Sequence, residues 1–229
     1  MMSAKPRLTY SEEQMAAAFE RRLRSRRPLA GVGRFSQVFR EVDCYRGRPD
    51  FIGIQSRITQ PRASHESPHS IGIACVLSLL KSSSPLSLAT LTRLSGLSRE
   101  VVARSVRHLI ARGLIEELSP DRFILSGGVA IFEMESTAFE LKLKSPRRAV
   151  FQAQQYTLFA QRVWIVVPPC HVKGFDTYHR VLGRWGIGLA IFNPYAHVFR
   201  TILPAKRGRY VSREHQAYAM LRLIERTVA

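Results

Sequence analysis

Asp50, Glu140 and Lys142 are the residues whose types and placing best fit a chemistry. Gly47-Arg48-Pro49-Asp50 is a turn that runs into the apolar Phe51-Ile52-Gly53-Ile54. Far along the chain, Ala138-Phe139-Glu140-Leu141-Lys142-Leu143-Lys144 alternates apolar and polar. Alternate side chains of a strand share a face. Phe139, Leu141 and Leu143 should therefore point one way, and Glu140, Lys142 and Lys144 the other. Two carboxylates can hold a hard divalent cation through oxygen. An ammonium two residues beyond one of them can orient an attacking water or offset charge developing on a phosphoryl group. Folded together, this set would serve hydrolysis of a phosphodiester. Singly, the residues have plainer uses: an Asp after Pro shapes turns, and lysines discourage pairing at an edge strand.

Charge supports a polyanionic partner. The 229 residues carry 35 Lys and Arg against 17 Asp and Glu, a net +18. Nucleic acid is the first candidate and an anionic membrane surface the second. Cys44, Cys75 and Cys170 are odd in number and lack CxxC spacing, which argues against a disulfide framework and a zinc site. The N-terminus shows no secretory pattern. The longest apolar stretch, Ile71 to Leu80, is far short of the ~20 residues that span a bilayer. A soluble, cytoplasmic protein without a membrane partner is expected.

The elements that must position the acids can be read in outline. Ser11-Glu12-Glu13 caps a helix whose apolar positions are Met15, Ala16, Phe19 and Leu23, and which ends in a basic run before Pro28. Residues 35–45 and 50–55 read as two strands around Arg46-Gly47-Arg48. Residues 58–70 are a polar linker. Helices follow at 71–81, 87–94 and 98–112, then β-prone runs at 114–118 and 122–125 around Ser119-Pro120-Asp121. Ser126-Gly127-Gly128 reads as an exit hinge. Beyond the Glu140 strand, the pattern predicts helices at 147–161 and 172–184, strands at 163–167, 186–192 and 197–203, and a last helix from Arg213.

Residues 71–125 resemble a winged helix-turn-helix in the order and length of their elements. The third helix has Val102, Val106, Leu109 and Ile110 at core spacing. Its other face offers Ser98, Arg99, Arg104 and Arg107 to base edges or phosphates. Asp121 and Arg122 would sit at the wing tip, so Arg122 joins the candidate DNA contacts. The plainer use of such a unit is protein contact or dimerisation.

The split constellation resembles the PD-(D/E)xK nuclease superfamily. Pro49-Asp50 matches its name-giving dipeptide, and Glu140-Leu141-Lys142 its (D/E)xK triplet on a strand. Gln152-Ala153-Gln154-Gln155-Tyr156 is similar to the QxxxY signature of the RecB-type branch, with Gln152 and Tyr156 neighbours on one helix face. The likeness covers roughly residues 10–60 and 130–205. It departs from the family in the long separation of Asp50 from Glu140, which an inserted domain accounts for. The resemblance implies an α/β fold: a restriction-endonuclease-like mixed sheet flanked by helices, its core made of residues 1–60 and 129–229, interrupted by a winged helix-turn-helix over 61–128. It implies Mg²⁺, with Mn²⁺ as a substitute, held by Asp50, Glu140 and the Leu141 carbonyl. Glu20 on the first helix is a further ligand candidate, as is Glu41. Glu133 and Glu135 lack a lysine two residues on, so Glu140 is preferred. Lys142, Gln152 and Tyr156 complete the expected catalytic set. Duplex DNA is the expected substrate, and cutting both strands would favour a homodimer. A non-catalytic DNA-binding protein on the same scaffold is the alternative from another class, and RNA processing a third.

Overall fold

The computed structural model of the chain describes residues 11–56, 70–127, 131–208 and 211–228. Residues 58–69 of the expected linker and Gly128 of the expected hinge lie outside them. Helix α1 (Glu12–Arg24) opens on a reciprocal capping box, in which the Ser11 hydroxyl accepts from the Gln14 N–H and Gln14 Oε1 accepts from the Ser11 N–H. Its buried stripe is Met15, Ala18, Phe19 and Leu23. Strands β1 (Gln37–Arg40) and β2 (Phe51–Ile54) follow. They pair antiparallel, but the connection is a ten-residue loop rather than the tight hairpin expected around Gly47. Glu41 and Tyr45 take positive φ in that loop, which ends the strand early.

The chain then leaves the sheet. Helices α2 (Ile71–Leu79), α3 (Leu88–Ser95) and α4 (Arg99–Ala111) precede strands β3 (Ile115–Ser119) and β4 (Arg122–Leu125), an antiparallel pair. Ser70, Ser87 and Ser98 each cap a helix through their hydroxyl, and Gly96 ends α3 at φ 67°. A bridge between Leu86 and Phe123 ties the pair back to the start of α3.

The chain re-enters the sheet at β5 (Ser136–Leu141), directly beside β2, with Phe51 opposite Phe139. Helix α5 (Pro146–Tyr156), β6 (Arg162–Val167), a 3-10 run (Pro169–Tyr178), α6 (His179–Trp185), β7 (Gly188–Asn193), β8 (Val198–Leu203) and α7 (Arg213–Val228) complete the chain. Pro169 and the residues after it turn in 3-10 fashion, so the helix expected over 172–184 is only seven residues of α. The six-stranded sheet runs β1-β2-β5-β6-β7-β8. Its β5-β6 and β6-β7 pairs are parallel and the others antiparallel. This is a mixed α/β sheet flanked by helices.

Alternation sorts the strand residues between two cores. Phe51, Phe139, Leu141, Trp164, Val166 and Phe192 meet α1 on one face. Phe19 puts its ring 5.4 Å from that of Phe139 and 5.1 Å from that of Phe192, both edge-on. Ile52, Ile54, Ala138, Ile165, Val167 and Leu189 meet α5 and α7 on the other. That second cluster also takes in Leu77, Val102 and Leu109, because α2 packs on α7. The Arg213 guanidinium donates to the carbonyls of Ser78 (2.9 Å) and Leu80 (3.2 Å) at the end of α2 and lies 3.9 Å over the Phe132 ring. The helical segment between β2 and β5 is thus tied to the sheet through α7. Among the described residues no helix is long and apolar enough to cross a membrane.

Candidate functional site

Phe51 and Phe139 are the last paired residues of β2 and β5, so Asp50 and Glu140 fall at the next position of the same ladder. Pro49 has no N–H to continue it. The Asp50 carboxylate turns in instead, and its Oδ2 accepts the Leu141 N–H at 2.6 Å, across 91 positions of sequence. The loop before it is pinned from within. Arg48 donates to the Glu41 carbonyl (3.1 Å) and pairs with its carboxylate (2.6 Å), so Glu41 serves this loop.

Alternation puts Glu140 and Lys142 on one polar face, and the plainer use of that face is a solvated edge strand. The strand is buried throughout, because helices cover both sides of the sheet. Glu140 is 1% exposed and faces α5. One of its oxygens takes the Lys142 ammonium at 2.8 Å, and the other accepts the Tyr156 hydroxyl at 2.7 Å. Such charge-assisted contacts are what makes a buried carboxylate tolerable. Tyr156 itself is buried, and burial followed by the Glu140 charge pushes its pKa up, so it stays a protonated donor. Gly47 makes room for it: a Cβ there would come 2.6 Å from the Tyr156 ring. Among the described residues, the buried Oε1 of Gln152, one turn earlier, has no hydrogen-bond partner.

Asp50 carries the most informative electrostatics. Burial, and then the nearby Glu140 charge, raise its pKa to about 6, although the Leu141 N–H and the Lys142 charge pull the other way. The half-buried Asp50 carboxylate and the buried Glu140 carboxylate repel, and a cation between them would relieve the repulsion. The donors are hard oxygens, which fit Mg²⁺ or Mn²⁺. Among the described residues there is no group of three or more His, Cys, Asp or Glu placed to hold a metal. A two-carboxylate set still suits Mg²⁺, which keeps several waters and commonly takes substrate phosphate oxygens.

Glu20 is not brought to this pair. Its carboxylate holds Arg24 at 2.9 Å, and Arg24 in turn reaches the Val38 carbonyl on β1. The α1 acid whose charge acts on Asp50 is Glu12, exposed in the first turn. Sequence reasoning missed it, although Glu12, Met15 and Phe19 follow the i, i+3, i+7 spacing of one helix face. Glu135 is engaged by Arg162 and Arg207, while Lys144 lies exposed beyond the strand.

The other expected set lies on α4 and the β3–β4 tip. Arg99, Arg104, Arg107 and Arg122 are all exposed, and Ser98 is the α4 cap. Val102, Ser105, Val106 and Leu109 form the buried face, whereas Ile110 is 38% exposed instead of core. Asp121 is occupied structurally: its Oδ1 accepts the Leu88 N–H, and its own N–H donates to Glu117.

No protein-family model matches the chain, and a search of curated proteins finds no match either.

Proposed function

We propose that the chain is a metal-dependent deoxyribonuclease of the PD-(D/E)xK kind, with a winged helix-turn-helix inserted between β2 and β5. The observation that carries this reading is Asp50 set beside Glu140–Lys142 at the end of two adjacent strands that are remote in sequence. Asp50 and Glu140 would hold Mg²⁺, or Mn²⁺ in its place, with the carbonyl of Leu141 as a third oxygen. When bound, the cation would polarise the phosphoryl group and offset charge on the leaving oxygen. Lys142, freed from Glu140 by that cation, would orient the attacking water. Tyr156 fixes the rotamer of Glu140 and is a positioning residue. Gln152, one turn before Tyr156 on α5, would contact the substrate. Arg99, Arg104, Arg107 and Arg122 would meet the phosphates and base edges of duplex DNA.

The test is incubation of supercoiled plasmid and linear DNA with the full chain in Mg²⁺, in Mn²⁺ and in EDTA, beside Asp50→Ala. Metal-dependent cutting that the variant loses is expected. One observation favours a second reading: both oxygens of Glu140 are already satisfied, by Lys142 and Tyr156. A protein that binds DNA without cutting it would use them that way. Tight DNA retention without cutting in every lane would select it.

A further inference from the structure

The loop that ends at Asp50 also carries an exposed aromatic side chain. Tyr45 is 51% exposed and sits at φ 67°, a conformation that costs a tyrosine free energy. The loop is built to hold it there. The Tyr45 N–H donates to Asp43 Oδ1 (2.9 Å), the Cys44 N–H to the Gly47 carbonyl (2.9 Å), and the Arg46 N–H to the Cys44 carbonyl (2.8 Å). The Cys44 side chain is buried beneath. One side of the Tyr45 ring leans on α7, with centroids 5.9 Å from His215 and 5.6 Å from Tyr218. The Arg46 guanidinium lies 5.6 Å from the Tyr45 ring centre and is held by a 3.1 Å contact to His215 Nε2.

We propose that Tyr45, with Arg46 beside it, is a stacking site for one unpaired nucleobase of the DNA strand that enters the Asp50–Glu140 site. The inference rests on the nucleic-acid reading above and adds a substrate class to it. Every base has a π face, and an aromatic ring next to a guanidinium is the sequence-tolerant means of holding one. The Asp43 carboxylate is turned to the loop's own backbone, where it accepts the Tyr45 N–H. The link to the acids is direct, because Gly47 rests on the Tyr156 ring and the Arg48 carbonyl accepts from the Tyr156 hydroxyl at 3.3 Å. Asp50 lies five positions after Tyr45, so the two are at most about 18 Å apart along the chain. A few nucleotides cover that span. A base can reach an exposed ring only when it is out of the duplex stack, so the preferred substrate has an overhang, flap or gap.

The experiment compares a blunt duplex with one bearing a single-stranded overhang that contains 2-aminopurine. Both are titrated in EDTA, where metal-dependent cutting is suppressed. The full chain is used as wild type, Tyr45→Ala, Tyr45→Trp and Arg46→Gln, each with a matched thermal unfolding curve. Wild type should prefer the overhang and quench the 2-aminopurine. Tyr45→Ala should weaken overhang binding about tenfold or more and lose the quenching, while blunt-duplex affinity holds. Tyr45→Trp should keep both, and Arg46→Gln should weaken the overhang complex less than Tyr45→Ala does. Equal overhang affinity and quenching in wild type and Tyr45→Ala would overturn the proposal, and so would a wild type that binds blunt and overhang alike. Binding that depends on Tyr45, in a protein that cuts nothing in the plasmid assay, would defeat the hydrolytic reading and leave the stacking site standing.

Discussion

The β2–β5 strand end and the outer face of α4 both collect polar side chains, in opposite ways. At the strand end the charged groups are spent on neighbours. Asp50 accepts from Leu141, and Glu140 is divided between Lys142 and Tyr156. On α4, Arg99, Arg104 and Arg107 stand in solvent on a helix whose other side is core. The first arrangement concentrates electrostatic energy in a low-dielectric place and fixes geometry. The second leaves charge free for a partner and contributes little to folding. A substitution in the first region should therefore register in stability as well as in function, and one in the second in binding alone.

The largest effect is expected at Lys142. Lys142→Ala leaves the buried Glu140 carboxylate without its ammonium, which should cost about 3 kcal/mol of stability in urea unfolding. It should also abolish cutting while largely sparing DNA binding. Full cutting by Lys142→Ala would break the comparison at its strongest point.

Asp50→Asn should act with the opposite sign. In the folded chain the Asp50 pKa rises from the ordinary 3.8 to about 6. Between those values the folded state binds more protons than the unfolded state, so the group's contribution to stability is complete below pH 3.8 and is lost as the pH rises through 6. By pH 7.5 the ionised carboxyl costs about 3 kcal/mol. Asparagine keeps an acceptor for the Leu141 N–H and removes that cost. The variant should melt higher than wild type at pH 7.5 in EDTA, with the gain vanishing near pH 4. A lower melting temperature at pH 7.5 would show that Asp50 holds the strand end together rather than straining it.

The smallest effect on stability belongs to α4. Arg104→Glu with Arg107→Glu should change unfolding by no more than about 0.5 kcal/mol, since both residues are exposed. Duplex retention measured by fluorescence anisotropy should nevertheless be lost, because reversed charges repel phosphates. Unchanged retention would leave α4 as a face without a nucleic-acid role.

Much of this contrast was legible in the residues. The helix cap at Ser11, the Val102, Val106 and Leu109 stripe of α4 and the β3–β4 pair follow from local spacing, and local chemistry decides them. The pairing of Asp50 with Glu140 was legible only through the family likeness, since no local pattern says which strands become neighbours. What escaped was tertiary. Alternation told which residues of β5 share a face but not that α5 would cover it, so the burial of Glu140 could not be read. The tight hairpin at Gly47 failed because Glu41 and Tyr45 take positive φ and open a ten-residue loop, in which Gly47 lies against the Tyr156 ring of a distant helix. Glu12 was passed over for Glu20 because the sheet position of α1, not its periodicity, decides which acid approaches Asp50.

Mn²⁺ titration followed by electron paramagnetic resonance tests the central claim most directly, that Asp50 and Glu140 form one cation site. At pH 7.5 the wild type should bind Mn²⁺ at a site that Asp50→Ala and Glu140→Gln each remove, and binding should weaken as the pH falls through 6. Identical Mn²⁺ binding by wild type and both variants would contradict the account.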